Sequence, residues 1–363
     1  MTPKQINRIK VKLIALIIGV TLIAIYKLSE PVPGVGKWIY AYITAPVHRF
    51  LSAACDYVPF SVAELLIAIM VIFFVYYTIF TIITLFRKKE RINAVISWVL
   101  TCLLLFADIY GGFCILWGTY YSVSNAELIY GFSSDGVEHS DLIKVDSYFV
   151  DLANEYSTRV NRDESGHYIS DRDEIFRHSY NIYEGLEKEY PRLVATKHRA
   201  KPVVCSRIMS YIGFTGFFFP FTAEANINID SPEMMVPATI AHELAHQRGV
   251  AAEDEANFTA ILACVEDGDD DFVYSASLLA LIHLQNALYK SGDMETWQQI
   301  RDSYSEGVIT DLADHSAYWR EFDKSLVSKV SDNTYDAFLK SYNQTLGRET
   351  YGACVNLLVE YFK

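Results

Sequence analysis

Three long apolar runs, all in the first third of the chain, constrain its fold more than anything else in the 363 residues. Leu13 to Tyr26 carries no charge and is bracketed by Lys12 and Lys27; Leu65 to Phe86 is uncharged throughout; Ala94 to Trp117 is broken only by Asp108. A helix rises about 1.5 Å per residue against a bilayer core of roughly 30 Å. Such runs predict transmembrane helices over about 11–28, 65–86 and 94–118. The first is short enough that Lys12 and Lys27 must snorkel. Only Leu28-Ser29-Glu30-Pro31 follows it, with no small-x-small cleavage site, so it reads as an anchor and not as a removable signal. Asp108 reads as an acid on a wet or protein-facing patch of its helix.

Orientation follows from the basic residues, which are retained in the cytoplasm. Lys4, Arg8, Lys10 and Lys12 precede the first run, and Arg87, Lys88, Lys89 and Arg91 fill the link between the second and third. Both stretches belong inside. The chain therefore reads as a multi-pass protein of the cytoplasmic membrane, with its N-terminus inside and everything beyond about Tyr121 outside. The lipid bilayer is its first partner. The outer link from Leu28 to Phe60 includes a stretch, Tyr40 to Val58, that suits an amphipathic helix resting on the interface.

Charge divides at the same place. Residues 1–121 hold 11 Lys/Arg and 5 Asp/Glu, whereas residues 122–363 hold 20 and 39. An overall charge of −13 speaks against a nucleic-acid partner, and 51% hydrophobic residues against a disordered chain. Two domains follow: a membrane anchor over 1–121 and an extracytoplasmic domain over 122–363, large enough for its own core. Of six cysteines only Cys205, Cys264 and Cys354 fall in the outer domain, with no Cys-x-x-Cys spacing; one disulfide at most fits there.

The outer domain reads as mainly α with a small β part. Helical spacing covers about Leu142 to Val160 and Asp171 to Tyr190, the latter stopped by Pro191. Lys201 to Asp230, rich in aromatic and β-branched residues with Gly and Pro interruptions, reads as two or three short strands. Helices return over Val236 to Arg248, Asp271 to Lys290 and Glu349 to Phe362.

The chemistry is concentrated in Ile240-Ala241-His242-Glu243-Leu244-Ala245-His246-Gln247-Arg248-Gly249. Residues four apart share a helix face, so His242 and His246 can both aim a ring nitrogen at one metal ion. Glu243, rotated by about 100°, falls beside the ion, where a general base for a water molecule belongs. With 9 His in the chain, a His-Glu-x-x-His string is expected only about 0.013 times by chance. A catalytic zinc site needs a third protein ligand. No histidine lies in the next thirty residues, which points to a carboxylate in Ala252-Glu253-Asp254-Glu255-Ala256-Asn257. On an unbroken helix Glu253 would lie about 10.5 Å beyond His246. Gly249 is placed to end that helix, and a turn through Val250 and Ala251 can start another that carries Glu253 back.

His-Glu-x-x-His is the signature of zincin metallopeptidases, and Glu253-Asp254-Glu255-Ala256-Asn257 resembles the Glu-x-x-Ala-Asp element of the glutamate-zincins. That resemblance implies Zn2+ as cofactor, Glu253 as third ligand with Glu255 as its fallback, and Asn257 as the support for a ligand histidine. An amide at 257, where those families carry an acid, implies weaker support. The spacing from His246 to Glu253 is shorter than in most of that clan and nearer to metzincins, but the metzincin histidine position is Ala252. The whole chain resembles an uncharacterised family of bacterial membrane-anchored zincin-like proteins, which implies an architecture of three spans and a helix-rich domain but no substrate.

The expected activity is a membrane-tethered zinc metallopeptidase acting on extracytoplasmic peptides or proteins, with Glu243 as catalytic base. The motif lies far beyond the last span in a charged region, which argues against cleavage inside the bilayer. The Phe217-to-Asn228 segment offers a strand edge for an extended peptide. Tyr211 and His283 read as packed residues, and His139, His167, His178, His198 and His315 as surface residues. Two other functions compete: an inactive zinc-binding scaffold or sensor at the membrane surface, and an interaction protein whose motif is fortuitous. The general base Glu243 is superfluous in the first of these.

Overall fold

A computed structural model describes residues 3–32, 34–87, 91–123, 126–132, 138–193, 195, 198–322 and 351–363. They form two compact units. The first comprises Met1–Cys55, Ser61–Val123 and Pro220–Ala223, and the second Asp56–Phe60, Ser124–Phe219 and Glu224–Lys363.

The first unit is helical: α1 (Pro3–Ser29), α2 (Val35–Ile39), a π-helical turn (Tyr40–Thr44), α3 (Ala45–Asp56), α4 (Val62–Leu85), α5 (Arg91–Leu116) and a 3-10 turn (Gly118–Ser122). Three helical stretches, Ile6–Ser29, Val62–Leu85 and Arg91–Ser122, are long and apolar enough to cross a membrane. Small residues let α1 and α5 approach closely. A Cβ on Gly111 would stand 2.6 Å from the Gly19 carbonyl oxygen, and one on Gly19 would stand 2.5 Å from Oδ1 of Asp108, so Asp108 faces α1. Lys12 departs from expectation. The first span starts at Ile6, which leaves Lys12 well inside it; the ammonium turns inward and donates to Tyr77 Oη (2.9 Å), Ser97 Oγ (2.7 Å) and Thr101 Oγ1 (2.7 Å). Lys27, near the other end, does reach solvent, paired with Glu30.

The second unit contains α6 (Ala126–Tyr130), α7 (His139–Tyr156), α8 (Arg172–His178), α9 (Glu184–Glu189), β1 (Lys201–Val203), α10 (Ser206–Tyr211), β2 (Gly216–Phe219), β3 (Glu224–Asn228), α11 (Val236–Gln247), α12 (Glu253–Asp267), α13 (Asp270–Ser291), α14 (Met294–Asp302), α15 (Glu306–Phe322) and α16 (Tyr351–Phe362). The fold is mainly α with one small sheet. The last helix expected from residue 349 is described from Tyr351 on; 349 and 350 lie outside the described residues. One helix expected over Asp171 to Tyr190 is two. Ser179 closes α8 by donating from Oγ to the Phe176 carbonyl, and Ile182 and Tyr183 then turn into the core before α9 begins.

The sheet has order β1-β3-β2, with β3 parallel to β1 (Lys201 opposite Asn226) and antiparallel to β2 (Phe217 opposite Asn226). Of the segment expected to offer an edge, β3 is therefore central and only β2 lies at an edge. The core packs α7, α11, α12, α13 and α16 around fully buried Phe149, Ile240, Leu244, Phe258 and Leu284. Phe258 sits edge-on to Tyr130 at 5.0 Å between ring centres. Emptying such a position costs about 3–5 kcal/mol, so the two helices carrying the motif are rigidly seated.

Candidate metal centre

Helix α11 is fixed at both ends. The Ser275 hydroxyl accepts the Ala238 N–H, and the Tyr183 hydroxyl donates to the Ala241 carbonyl at 2.7 Å. Arg248, just past the C-terminus, stacks its guanidinium 3.9 Å from the Tyr183 ring centre and pairs with Glu187 at 2.9 Å. Gly249 adopts φ 91°, the left-handed conformation that glycine enters freely. There the Val250 N–H reaches back to the Ala245 carbonyl and the Gly249 N–H to that of His246, a Schellman closure of the helix. The turn through Val250 and Ala251 leads directly into α12, whose first residue is Glu253.

This turn brings Glu253 to both histidines. Its Oε2 lies 3.1 Å from His242 Nε2 and 3.7 Å from His246 Nε2, and one ligand atom from each residue falls within 4.8 Å of the others. Three ligands at tetrahedral angles around zinc would be separated by about 3.3 Å, given zinc–nitrogen and zinc–oxygen distances near 2.0–2.1 Å. Both far ring nitrogens are occupied: His242 Nδ1 donates to Asn257 Oδ1 at 2.8 Å, and His246 Nδ1 to the Val250 carbonyl at 2.7 Å. A neutral imidazole that donates from Nδ1 keeps a bare lone pair on Nε2, the form a metal needs. Asn257 thus stands where a supporting residue was expected. Glu255 does not join the cluster; its Oε1 accepts the Ala126 N–H at 2.9 Å and caps the start of α6.

Electrostatics within the cluster favour a bound positive charge. Burial alone would raise Glu253, but His246 and His242 beside it hold its carboxyl well below the usual range. Burial likewise disfavours charge on His246, yet the Glu253 carboxylate lifts it to about 9. A metal ion and a proton would compete for this one place. His283 is buried and pushed down to about 4 by its burial and by His242, so it stays neutral at pH 7.

Glu243 is held apart from the three. It is 4% exposed, its carboxylate accepts the Phe218 N–H of β2, and its Oε2 has no hydrogen-bond partner. Burial pushes this carboxyl above the usual carboxylate range, and His242 and His246 offset part of the rise. The contact with β2 depends on Gly216: a Cβ there would lie 2.7 Å from Cγ and Oε1 of Glu243. Neither Gly216 nor the Phe218 amide belongs to the motif. The available signal was a glycine inside a strand pattern, which commonly marks a close approach. Tyr211 is half exposed and set edge-on to Phe322, and of the scattered histidines His198 is largely buried, its side chain 10% exposed beside Asp56, and not on the surface. None of the six cysteines forms a disulfide among the described residues.

Fold and site together define a mainly α protein with three helices long enough for a bilayer and a His–His–Glu cluster on two helices joined by a tight turn. The chain belongs to a family described as protein of unknown function (DUF3810), whose model matches residues 37–359. No curated protein and no solved structure matches it.

Proposed function

We propose that this protein is a membrane-tethered zinc-dependent peptidase of zincin type, acting on extracytoplasmic peptides or proteins. One observation carries the reading: the two Nε2 atoms and the Glu253 carboxylate converge, while Glu243 stands outside that set with an unpartnered oxygen. A purely structural metal site would need no such fourth residue and would be closed by four protein ligands. The donor set, two neutral imidazoles and a carboxylate, suits Zn2+.

His242, His246 and Glu253 would hold the ion, which when bound supplies Lewis acidity toward a peptide carbonyl. Glu243 Oε2 takes the proton of an attacking water as its oxygen bonds to the carbonyl carbon, then hands it to the amine nitrogen as the carbon–nitrogen bond breaks. The Phe218 N–H of β2 favours the charged form of this carboxylate. Phe217 and Phe219 face β3 in the antiparallel ladder, so the backbone groups of Gly216 and Phe218 point off the sheet edge. The basic residues before the first span and between the second and third support an outward-facing domain.

The test is metal analysis of purified full-length protein together with proteomics of peptides released by cells carrying the wild type or Glu243→Gln. One zinc per chain and a set of peptides lost in the variant are expected. Stoichiometric zinc with no difference between the two would leave a zinc-binding scaffold or sensor; absence of zinc would overturn both readings.

A further inference from the structure

Helix α2, the π turn and α3 run without a break from Val35 to Asp56. Five residues separate this segment from the end of α1 and five from the start of α4, so extended chain could carry either end only about 20 Å from a candidate span. The segment is tied to the membrane surface at both ends.

Its polarity is inverted relative to a helix lying on a soluble core. The face turned into the protein is polar: Thr44, His48 and Ser52 are 0%, 6% and 4% exposed. Thr44 Oγ1 donates to the Ile115 carbonyl at 2.7 Å and contacts Thr119 Oγ1 at 2.9 Å, and His48 Nδ1 meets Tyr120 Oη at 2.6 Å. The opposite face carries Ile43, Val47, Phe50 and Ala54, at spacings of four, three and four. All four are exposed, Phe50 by 72%. An apolar stripe of this kind needs an apolar partner.

We infer that the stripe from Ile43 to Ala54 is embedded in the acyl region of one leaflet, with the segment lying along the bilayer and not crossing it. At about 1.5 Å per residue it is long enough to cross, but crossing would put the Lys4–Lys12 and Arg87–Arg91 basic stretches on opposite sides of the membrane. It would also carry exposed Arg49 into hydrocarbon, where a charged side chain is costly. Lying flat, Arg49 flanks the stripe and reaches the headgroups. The inference is independent of the metal centre.

A photoreactive benzoylphenylalanine at Phe50, in the full chain reconstituted in phosphatidylethanolamine–phosphatidylglycerol vesicles, tests it. The same residue at Val47 serves as a second probe on the stripe, and at Ser52 as a probe of the polar face. Irradiation should add the mass of one phospholipid at 50 and 47, and none at 52. Chain-to-chain products from 50 and 47 would make the occupant a second copy and overturn the inference. Absence of any adduct at both would mean that the stripe faces water, and would overturn it equally.

Discussion

In the proposed zinc peptidase, Gly216→Ala is a single-methyl perturbation that should disable catalysis while leaving zinc binding in place. The new Cβ would stand 2.7 Å from Glu243 Cγ and Oε1 and 3.0 Å from Cδ, where ordinary contact begins near 3.4 Å. Helix α11 cannot retreat, because Ala241 and Ala245 on its far side are fully buried. The strand cannot easily retreat either, since β2 is paired along its length with β3. The carboxylate itself must therefore move by roughly 0.7–1 Å, and a 1 Å misplacement of a catalytic group costs on the order of 100-fold in rate, equivalent to about 2.7 kcal/mol. On the proposed function, the loss should appear in kcat with KM little changed, measured on whichever peptides the wild-type protein is found to release. Zinc content should stay at the wild-type level, because the atoms nearest the new methyl all belong to Glu243 and none to a ligand. In the Glu243→Gln background the same substitution should cost nothing further, since its effect passes through the carboxylate already removed. Unchanged kcat in the single variant, or loss of zinc from it, would refute the steric argument.

Glu253→Gln should abolish stoichiometric zinc binding while Glu255→Gln retains it, as metal analysis of the two variants would show; only Glu253 meets the histidines, and Glu255 serves Ala126. Asn257→Ala removes the acceptor of His242 Nδ1 and should weaken zinc affinity by about 10–100-fold in chelator competition, with Asn257→Asp at least as tight as wild type. Asp146, fully buried with only the Gln285 amide donating to it, is raised from 3.8 to about 7 by burial. Its folded form thus holds a proton that the unfolded form has lost, so stability falls as pH rises from about 4 to about 7. The penalty is on the order of 4 kcal/mol, and melting curves of Asp146→Asn should lie above wild type at pH 8 and converge with it near pH 4.

What the sequence makes legible here is what local periodicity encodes, and the boundary is visible residue by residue. His242 and His246 share a face because of helical spacing alone. Glu253 could be placed near them because Gly249 ends one helix and too few residues follow to allow any route but a tight turn. The split of 171–190 into α8 and α9, and the existence of α14, escape the same reasoning: helices of under ten residues are stabilised by what they pack against more than by their own sequence. Gly216 and the Phe218 amide belong to a strand that meets Glu243 only through the tertiary fold, and no spacing rule connects residues 27 apart across a sheet and a turn. Lys12 shows the converse. Its charge marks the end of an apolar run, yet the helix begins earlier, and Tyr77, Ser97 and Thr101 from two other helices meet its ammonium inside the bundle. The segment from Val35 to Asp56 separates the two kinds of information within one helix. Its pattern announces an apolar stripe and a polar stripe; which of them faces the protein is decided by Ile115, Thr119 and Tyr120, some seventy residues away, whose carbonyl and hydroxyls meet Thr44 and His48 of the polar one.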